Sequence, residues 1–156
     1  MQIARIHVRG WQTAYADQMP REFLDSLTVS ARTKDWLKWL KAEHFRALVY
    51  FEEAVILGYA AYSVKTECAE LLGLYVDPDH KRRGIGSRLM TQFEEETTNK
   101  SRRGLWVLSE NDPAIIFYRI FGYQESGETR EADVGGVCVR ETRMEKLENH
   151  IGPLNE

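Results

Sequence analysis

Leu71-Leu72-Gly73-Leu74-Tyr75-Val76-Asp77-Pro78-Asp79-His80-Lys81-Arg82-Arg83-Gly84-Ile85-Gly86-Ser87-Arg88-Leu89-Met90 is the stretch that decides the fold. Leu71 to Val76 is a short apolar run and reads as a buried strand. Asp77-Pro78 stops it, because proline has no N–H to give to a strand ladder. From Ile85 onward the apolar positions Leu89 and Phe93 recur every four residues, which marks one face of a helix. The turn between strand and helix carries Lys81, Arg82, Arg83, Gly84 and Gly86. Glycines let backbone N–H groups approach a ligand closely, and a helix start carries partial positive charge. The turn therefore reads as an anion site, most often for phosphate. It is not G-x-x-x-x-G-K-[ST], which argues against a nucleoside-triphosphate loop. Leu89 stands where a dinucleotide fingerprint needs its third small residue.

Working outward, 156 residues make one domain by size, large enough for a real core. The reading is a single domain over 1–147 with a polar tail over 148–156. A net charge of −3 gives no electrostatic case for nucleic acid. No apolar run approaches the length of a membrane span, and the charged opening Met1 to His7 lacks a signal-peptide core, so a cytoplasmic protein is expected. Cys68 and Cys138 form no C-x-x-C pair and read as reduced thiols. His7, His44, His80 and His150 lack metal-ligand spacing, so no metal is expected.

Upstream, Ile3, Ile6, His7, Gly10, Trp11, Ala14 and Tyr15 fall at helical steps, and Met19-Pro20 ends that helix. Pro20 can open a short second helix with Phe23, Leu24 and Leu27. A third helix is predicted over Thr33 to Ala42, burying Trp36, Leu37 and Leu40. Phe45 to Phe51 alternates as a strand, Glu52-Glu53 turns, and Val55 to Val64 returns as its hairpin partner. Gly58 inside that partner marks a bulge or a close approach. Downstream, the helix after the glycine turn runs to Asn99-Lys100. Leu105 to Leu108 is a short apolar strand reached by a parallel crossover. Asp112 as cap and Pro113 in the first turn start a helix that stops at Gly122. Tyr123 to Leu147 reads as two antiparallel strands joined near Gly135-Gly136.

Lys81-Arg82-Arg83-Gly84-Ile85-Gly86 resembles the [Q/R]-x-x-G-x-[G/A] loop of the GCN5-related N-acetyltransferases, with Lys81 in place of the usual Gln or Arg. Asn111 to Tyr123 is similar to that family's N-x-x-A-x-x-F-Y-x-x-x-G-[FY], with every fixed position present. Taken singly, Asn111 reads as a turn residue capping the next helix and Tyr118 as a core aromatic. Seven residues apart, close to two helical turns, they can point to one side. Trp11 to Tyr15, Met19-Pro20 and Phe23-Leu24 resemble the opening of a bacterial branch of the family. They also read as plain core aromatics.

The resemblance implies an α/β fold: a mixed, mostly antiparallel central sheet with helices on both faces, the acyl-CoA N-acyltransferase fold. The family's first strand is missing ahead of Ile3, which leaves a strand edge that a homodimer or the tail could cover. It further implies acetyl-CoA as co-substrate, its pantetheine arm along Leu74, Tyr75 and Val76. The N–H groups of Arg83, Gly84, Ile85, Gly86 and Ser87 would hold the pyrophosphate, with charge from Arg82 and Arg83. Asn111 and Tyr118 would contact the cofactor arm. Tyr118 is then the general acid and Glu70 a candidate base, with ordinary alternation putting Glu70 on the Leu74 face unless a bulge changes the parity. The acceptor is a small-molecule amine or a protein amine. Two other classes stand beside this reading. One is a non-catalytic acyl-CoA-binding module on the same fold, for which the acid Tyr118 has no use. The other is a nucleotide-phosphate enzyme, which lacks its Walker lysine here.

Overall fold

The structure, a computed structural model, describes residues 1–147. The predicted polar tail, 148–156, lies outside the described residues. Three alternating runs form an antiparallel meander of β1 (Phe45–Glu52), β2 (Val55–Val64) and β3 (Cys68–Val76). A single turn of 3-10 helix at Pro78–His80 leads to helix α4 (Ile85–Glu96), which crosses to β4 (Arg102–Leu108), parallel to β3. Helix α5 (Asp112–Ile120) then precedes the hairpin β5 (Gln124–Val134) and β6 (Val137–Leu147). The hairpin inserts its second strand beside β4, giving the order β1-β2-β3-β4-β6-β5. Its turn, Gly135-Gly136, holds φ of 62° and 81° at both residues, a conformation that side chains resist.

Helices cover both faces, as the resemblance implies. On one, α4 and α5 bury Ile85, Leu89, Met90, Phe93 and Ile115 against Leu57, Tyr62, Leu71, Leu105 and Met144. On the other, α1 (Gln2–Ala14) and α3 (Val29–Trp39) bury Ile3, Ile6 and Trp36 against Tyr59 and Ala61. The short α2 (Arg21–Ser26) links them. His7 sits in this second layer, stacked on Tyr75 at 5.8 Å and accepting the indole N–H of Trp36 at 3.2 Å. Burial, aided by the charge of Arg32, lowers the pKa of His7 to about 4, so the ring is neutral near pH 7. No helix among the described residues is long and apolar enough to cross a membrane.

Several sequence expectations shift: α4 ends at Glu96, short of Asn99-Lys100, and β4 starts at Arg102, ahead of Leu105. Helix α3 starts four residues before Thr33, because the Thr28 hydroxyl accepts the N–H of Ala31 at 3.2 Å and caps it. It ends at Trp39, so Leu40 lies beyond the last turn and Leu37 is rotated off the Trp36 face. Both are exposed rather than buried. Asn111, not Asp112, is the cap of α5; its side-chain oxygen accepts the N–H of Ala114 at 3.3 Å. The chain order opens on α1, and β1 lies at a sheet edge with no strand outside it among the described residues.

Gly58 shows both features read for it. The β1–β2 register slips beside it, Tyr50 facing Gly58 and Phe51 facing Ile56. A Cβ there would lie 3.0 Å from Ile85 and 3.1 Å from both Leu89 and the Tyr75 carbonyl. The missing side chain is what lets the start of α4 settle on β2. Gly58→Val should therefore lower stability by about 1–3 kcal/mol, the usual cost of overpacking. Urea unfolding would check it; an unchanged midpoint would mean that α4 can lift without loss.

Candidate active site

The site begins with one extra residue. In the β2–β3 ladder Tyr62 faces Leu71 and Ala61 faces Gly73, so Leu72 has no partner and β3 bulges. A bulge bends a strand and increases its local twist. Pairing of β3 to β4 runs from Cys68–Arg102 to Leu71–Leu105 and stops there. Beyond it, Leu72 to Val76 and Trp106 to Leu108 form opposite walls of a cleft of about 630 Å³. Strand edges that face a gap rather than each other can take an extended ligand as an added strand.

The glycine turn closes one end of this cleft, with Lys81, Arg82, Gly84, Ile85, Gly86 and Ser87 in its lining. Gly84 caps α4 at φ 76°, in the left-handed region that favours glycine. Arg82 also holds positive φ, at 60°, which is uncommon for a residue with a side chain. No side chain caps α4 and its first turn has no acid. The N–H groups of Ile85, Gly86 and Ser87 therefore start the helix without an intrahelical carbonyl. With the helix dipole and two cationic side chains, this arrangement can hold an anion. Arg83 departs from the expected pattern. Its guanidinium meets both carboxylate oxygens of Glu52 at 3.0 Å, and Arg83 is not among the residues lining the cleft, whereas Lys81 is.

The turn is held from below. Asp77 is buried at the end of β3, and its carboxylate accepts from Arg9 at 2.7 Å, from the Asp79 N–H at 3.0 Å and from His80 at 3.3 Å. Arg9, on α1, also reaches Asp79 at 2.7 Å. Burial alone would raise the Asp77 pKa. The hydrogen bonds from Asp79 and His80 and the charge of Arg9 outweigh it and lower the value.

At the other end, α5 delivers Asn111 and Tyr118 to the same cleft, as their spacing predicts. Asn111 spends its oxygen on the cap, so a ligand contact would use its amide nitrogen as donor. Tyr118 stands with its ring 5.4 Å from Phe117. Burial, then the nearby Tyr15, raises its hydroxyl pKa, which keeps the proton on at neutral pH. The hydroxyls of Tyr15 and Tyr75 lie 3.2 Å apart. Leu74, Tyr75 and Val76 line the cleft, and so do Trp11, Tyr15 and Met19 from the first helix and its loop.

Glu70 does not join them. With Leu72 extra, Leu71 and Leu74 both pack on the α4 side, so Glu70 points to the opposite face. Its carboxylate is paired with Arg143 at 2.5 Å, and Glu70 is not among the residues that line the cleft. Among the lining residues that the sequence reading did not name for the site are Trp106 and Glu141. Glu141 lies in phase with Val137 and Val139 on β6, so strand alternation carried the signal for its inward position.

The sequence model of the acetyltransferase (GNAT) family matches residues 3–123. Over 151 residues, 91% of this chain and 84% of the other, the chain is 26% identical to YuaI, an uncharacterized N-acetyltransferase of Bacillus subtilis. A shorter match of 71 residues, 44% of this chain and 48% of the other, is 31% identical to the ribosomal protein bS18-alanine N-acetyltransferase of Escherichia coli. Among solved structures, the PaiA N-acetyltransferase of Thermoplasma acidophilum in complex with coenzyme A superposes with a TM-score of 0.71. That match has 19% identity over 92% of this chain and 89% of that one, a likeness of fold.

The Asp77 clamp gives a pH-dependent test. A carboxyl group whose pKa is lowered on folding adds stability above its unfolded pKa and loses it as pH falls through the folded value. Asp77→Asn should cost about 1.5–3 kcal/mol near neutral pH, the range for hydrogen bonds to a charged group. The gap to the parent protein should close as pH drops below about 4. Urea midpoints at both pH values check this; a gap independent of pH would remove the charge from the explanation.

Proposed function

This chain belongs to the acetyltransferase (GNAT) family, and on that footing we propose that it moves an acetyl group from acetyl-CoA directly to a primary amine of a small molecule or a protein, with Tyr118 as general acid. One observation carries the proposal. The gap between β3 and β4 is lined by the uncapped start of α4 with Lys81 and Arg82, and by Tyr118. A long ligand with a pyrophosphate at one end and a reacting thioester at the other suits that arrangement.

The residues fit such a ligand. The open N–H groups of Ile85, Gly86 and Ser87 suit a pyrophosphate, with Lys81 and Arg82 adding charge. A Cβ on Gly86 would be 3.6 Å from Leu74 and 3.8 Å from Phe117, ordinary contact, so the bare backbone there is not required by internal packing. It leaves room for a ligand on the cleft side. The free edge of Leu74 to Val76 suits the amide groups of a pantetheine arm, and the Asn111 amide nitrogen is a donor beside it.

Acetyl-CoA, when bound, supplies a thioester carbonyl carbon for attack by a neutral amine. The Leu74 N–H, on the strand past the bulge, would stabilise charge gathering on the carbonyl oxygen. Tyr118, held protonated by burial, would give its proton to the departing sulfur. Its phenolate would then take a proton from the acceptor nitrogen, restoring the hydroxyl. Glu70, committed to Arg143 on the far face, is left out of this scheme.

Tyr118→Phe should lower kcat about tenfold or more while acetyl-CoA affinity holds, because only the proton donor is removed. Turnover followed as free thiol on a panel of amines measures the first, and calorimetry the second. An intact kcat would strike Tyr118 from the acid role. Gly86→Glu puts a bulky anion into the glycine turn and should abolish the rise in melting temperature that acetyl-CoA gives the parent protein. A folded variant with an unchanged shift would count against the phosphate assignment.

A further inference from the structure

The lining of the cleft carries charge of both signs. Lys81 and Arg82 stand at the glycine turn, and Glu141 is the one carboxylate among the described residues that line it. Glu141 is on β6, opposite Leu108 of β4 and Arg130 of β5. Its side chain is only 18% exposed, while that of its partner Arg130 is 50% exposed. The pair closes at 2.6 Å, with the guanidinium lying over the Trp106 ring at 4.3 Å. So the acid is inside and its counter-ion sits at the rim. An ion pair this exposed on one side is weakly held, and another cation can take the arginine's place.

We infer that Glu141 anchors the acceptor as its ammonium ion, and that the acceptor is a primary amine with no carboxylate on the neighbouring carbon. This rests on the transferase reading above. Near neutral pH an alkylamine enters almost wholly as a cation, a lone carboxylate in a cleft concentrates it there, and the ammonium gives one proton to solvent before the neutral amine attacks. The same charge repels an acceptor that brings its own α-carboxylate, as a free amino acid does. Trp106, Trp11, Met19 and Val134 add an apolar lining suited to a carbon chain. Tyr15 links the anchor to the reacting end: the Glu141 charge acts on its hydroxyl, and Tyr15 in turn acts on Tyr118. Peptide N-termini, lysine side chains and polyamines share this chemistry.

Steady-state kinetics at saturating acetyl-CoA test it with alaninamide, Nα-acetyl-lysinamide, spermidine and free alanine. At least one of the three carboxylate-free amines should exceed free alanine in kcat/KM by about tenfold or more. Which of them leads separates an α-ammonium, an ε-ammonium and a polyamine. Glu141→Gln should raise the amine KM about tenfold or more and leave the KM for acetyl-CoA in place, with Glu141→Asp restoring part of the loss. Arg130→Ala, which frees the carboxylate, should lower the amine KM. An amine KM unmoved by Glu141→Gln, or a preference for free alanine, overturns the anchor while leaving the transferase reading intact. Acetyl-CoA binding without turnover of any amine by the parent protein overturns both.

Discussion

The gap between β3 and β4 is the constraint on which the rest of the structure depends. Two parallel strands that paired along their whole length would satisfy each other's backbone and leave nothing to bind. Here the pairing ends at Leu71 and Leu105, next to the unpartnered Leu72. The backbone polar groups facing the gap need partners, and buried groups of that kind are expensive to leave unpaired. A cleft floored by such edges favours an extended, amide-bearing ligand over a globular one. The same extra residue sets the side-chain parity of β3. It turns Leu74 toward α4 and sends Glu70 to the opposite face, where Arg143 and Glu145 complete a charge cluster beside Trp106.

Holding the gap open requires rigid supports at its ends. At the glycine turn, Arg9 ties α1 to Asp77 and Asp79, and Gly58 lets α4 lie close on β2. At the other end Asn111 caps α5 and so sets the helix register that places Tyr118. These supports come from separate parts of the chain, sixty-eight residues apart in the case of Arg9 and Asp77. Their cost is ordinary, a few hydrogen bonds and one close packing contact. Their effect is to aim a helix start and a phenol at opposite ends of one space.

Much of this was legible in the sequence because it is local. The strand, glycine turn and helix from Leu71 to Met90 are contiguous, and so is the Asn111 to Gly122 helix with its cap. Both carry their chemistry within one run of residues. Non-local facts were not legible. Whether Glu70 shares a face with Leu74 depends on a bulge defined by the partner strand β2. Whether Arg83 or Lys81 turns toward the cleft depends on Glu52, thirty-one residues before Arg83. The α3 boundary was missed for a different reason: the Thr28 cap is a local signal, but the aromatic spacing around Trp36 drew the helix toward its C-terminal side.

Glu141 shows how the two kinds of information combine. Alternation with Val137 and Val139 puts it on an inward face, which any reading of β6 can supply. That the inward face there is the mouth of a cleft follows only from the sheet order, with β6 rather than β5 beside β4. An acid at a buried-phase position in a strand normally costs stability unless it is paired. Arg130 supplies that pairing from the neighbouring strand, at the rim, where its own charge stays solvated. A stable structure alone would be served as well by an apolar residue in phase with the two valines. An acid kept inward, with its partner at the rim, gives the cleft lining charge of both signs, which on the proposed reading would suit a cationic nucleophile and a ligand that carries phosphates.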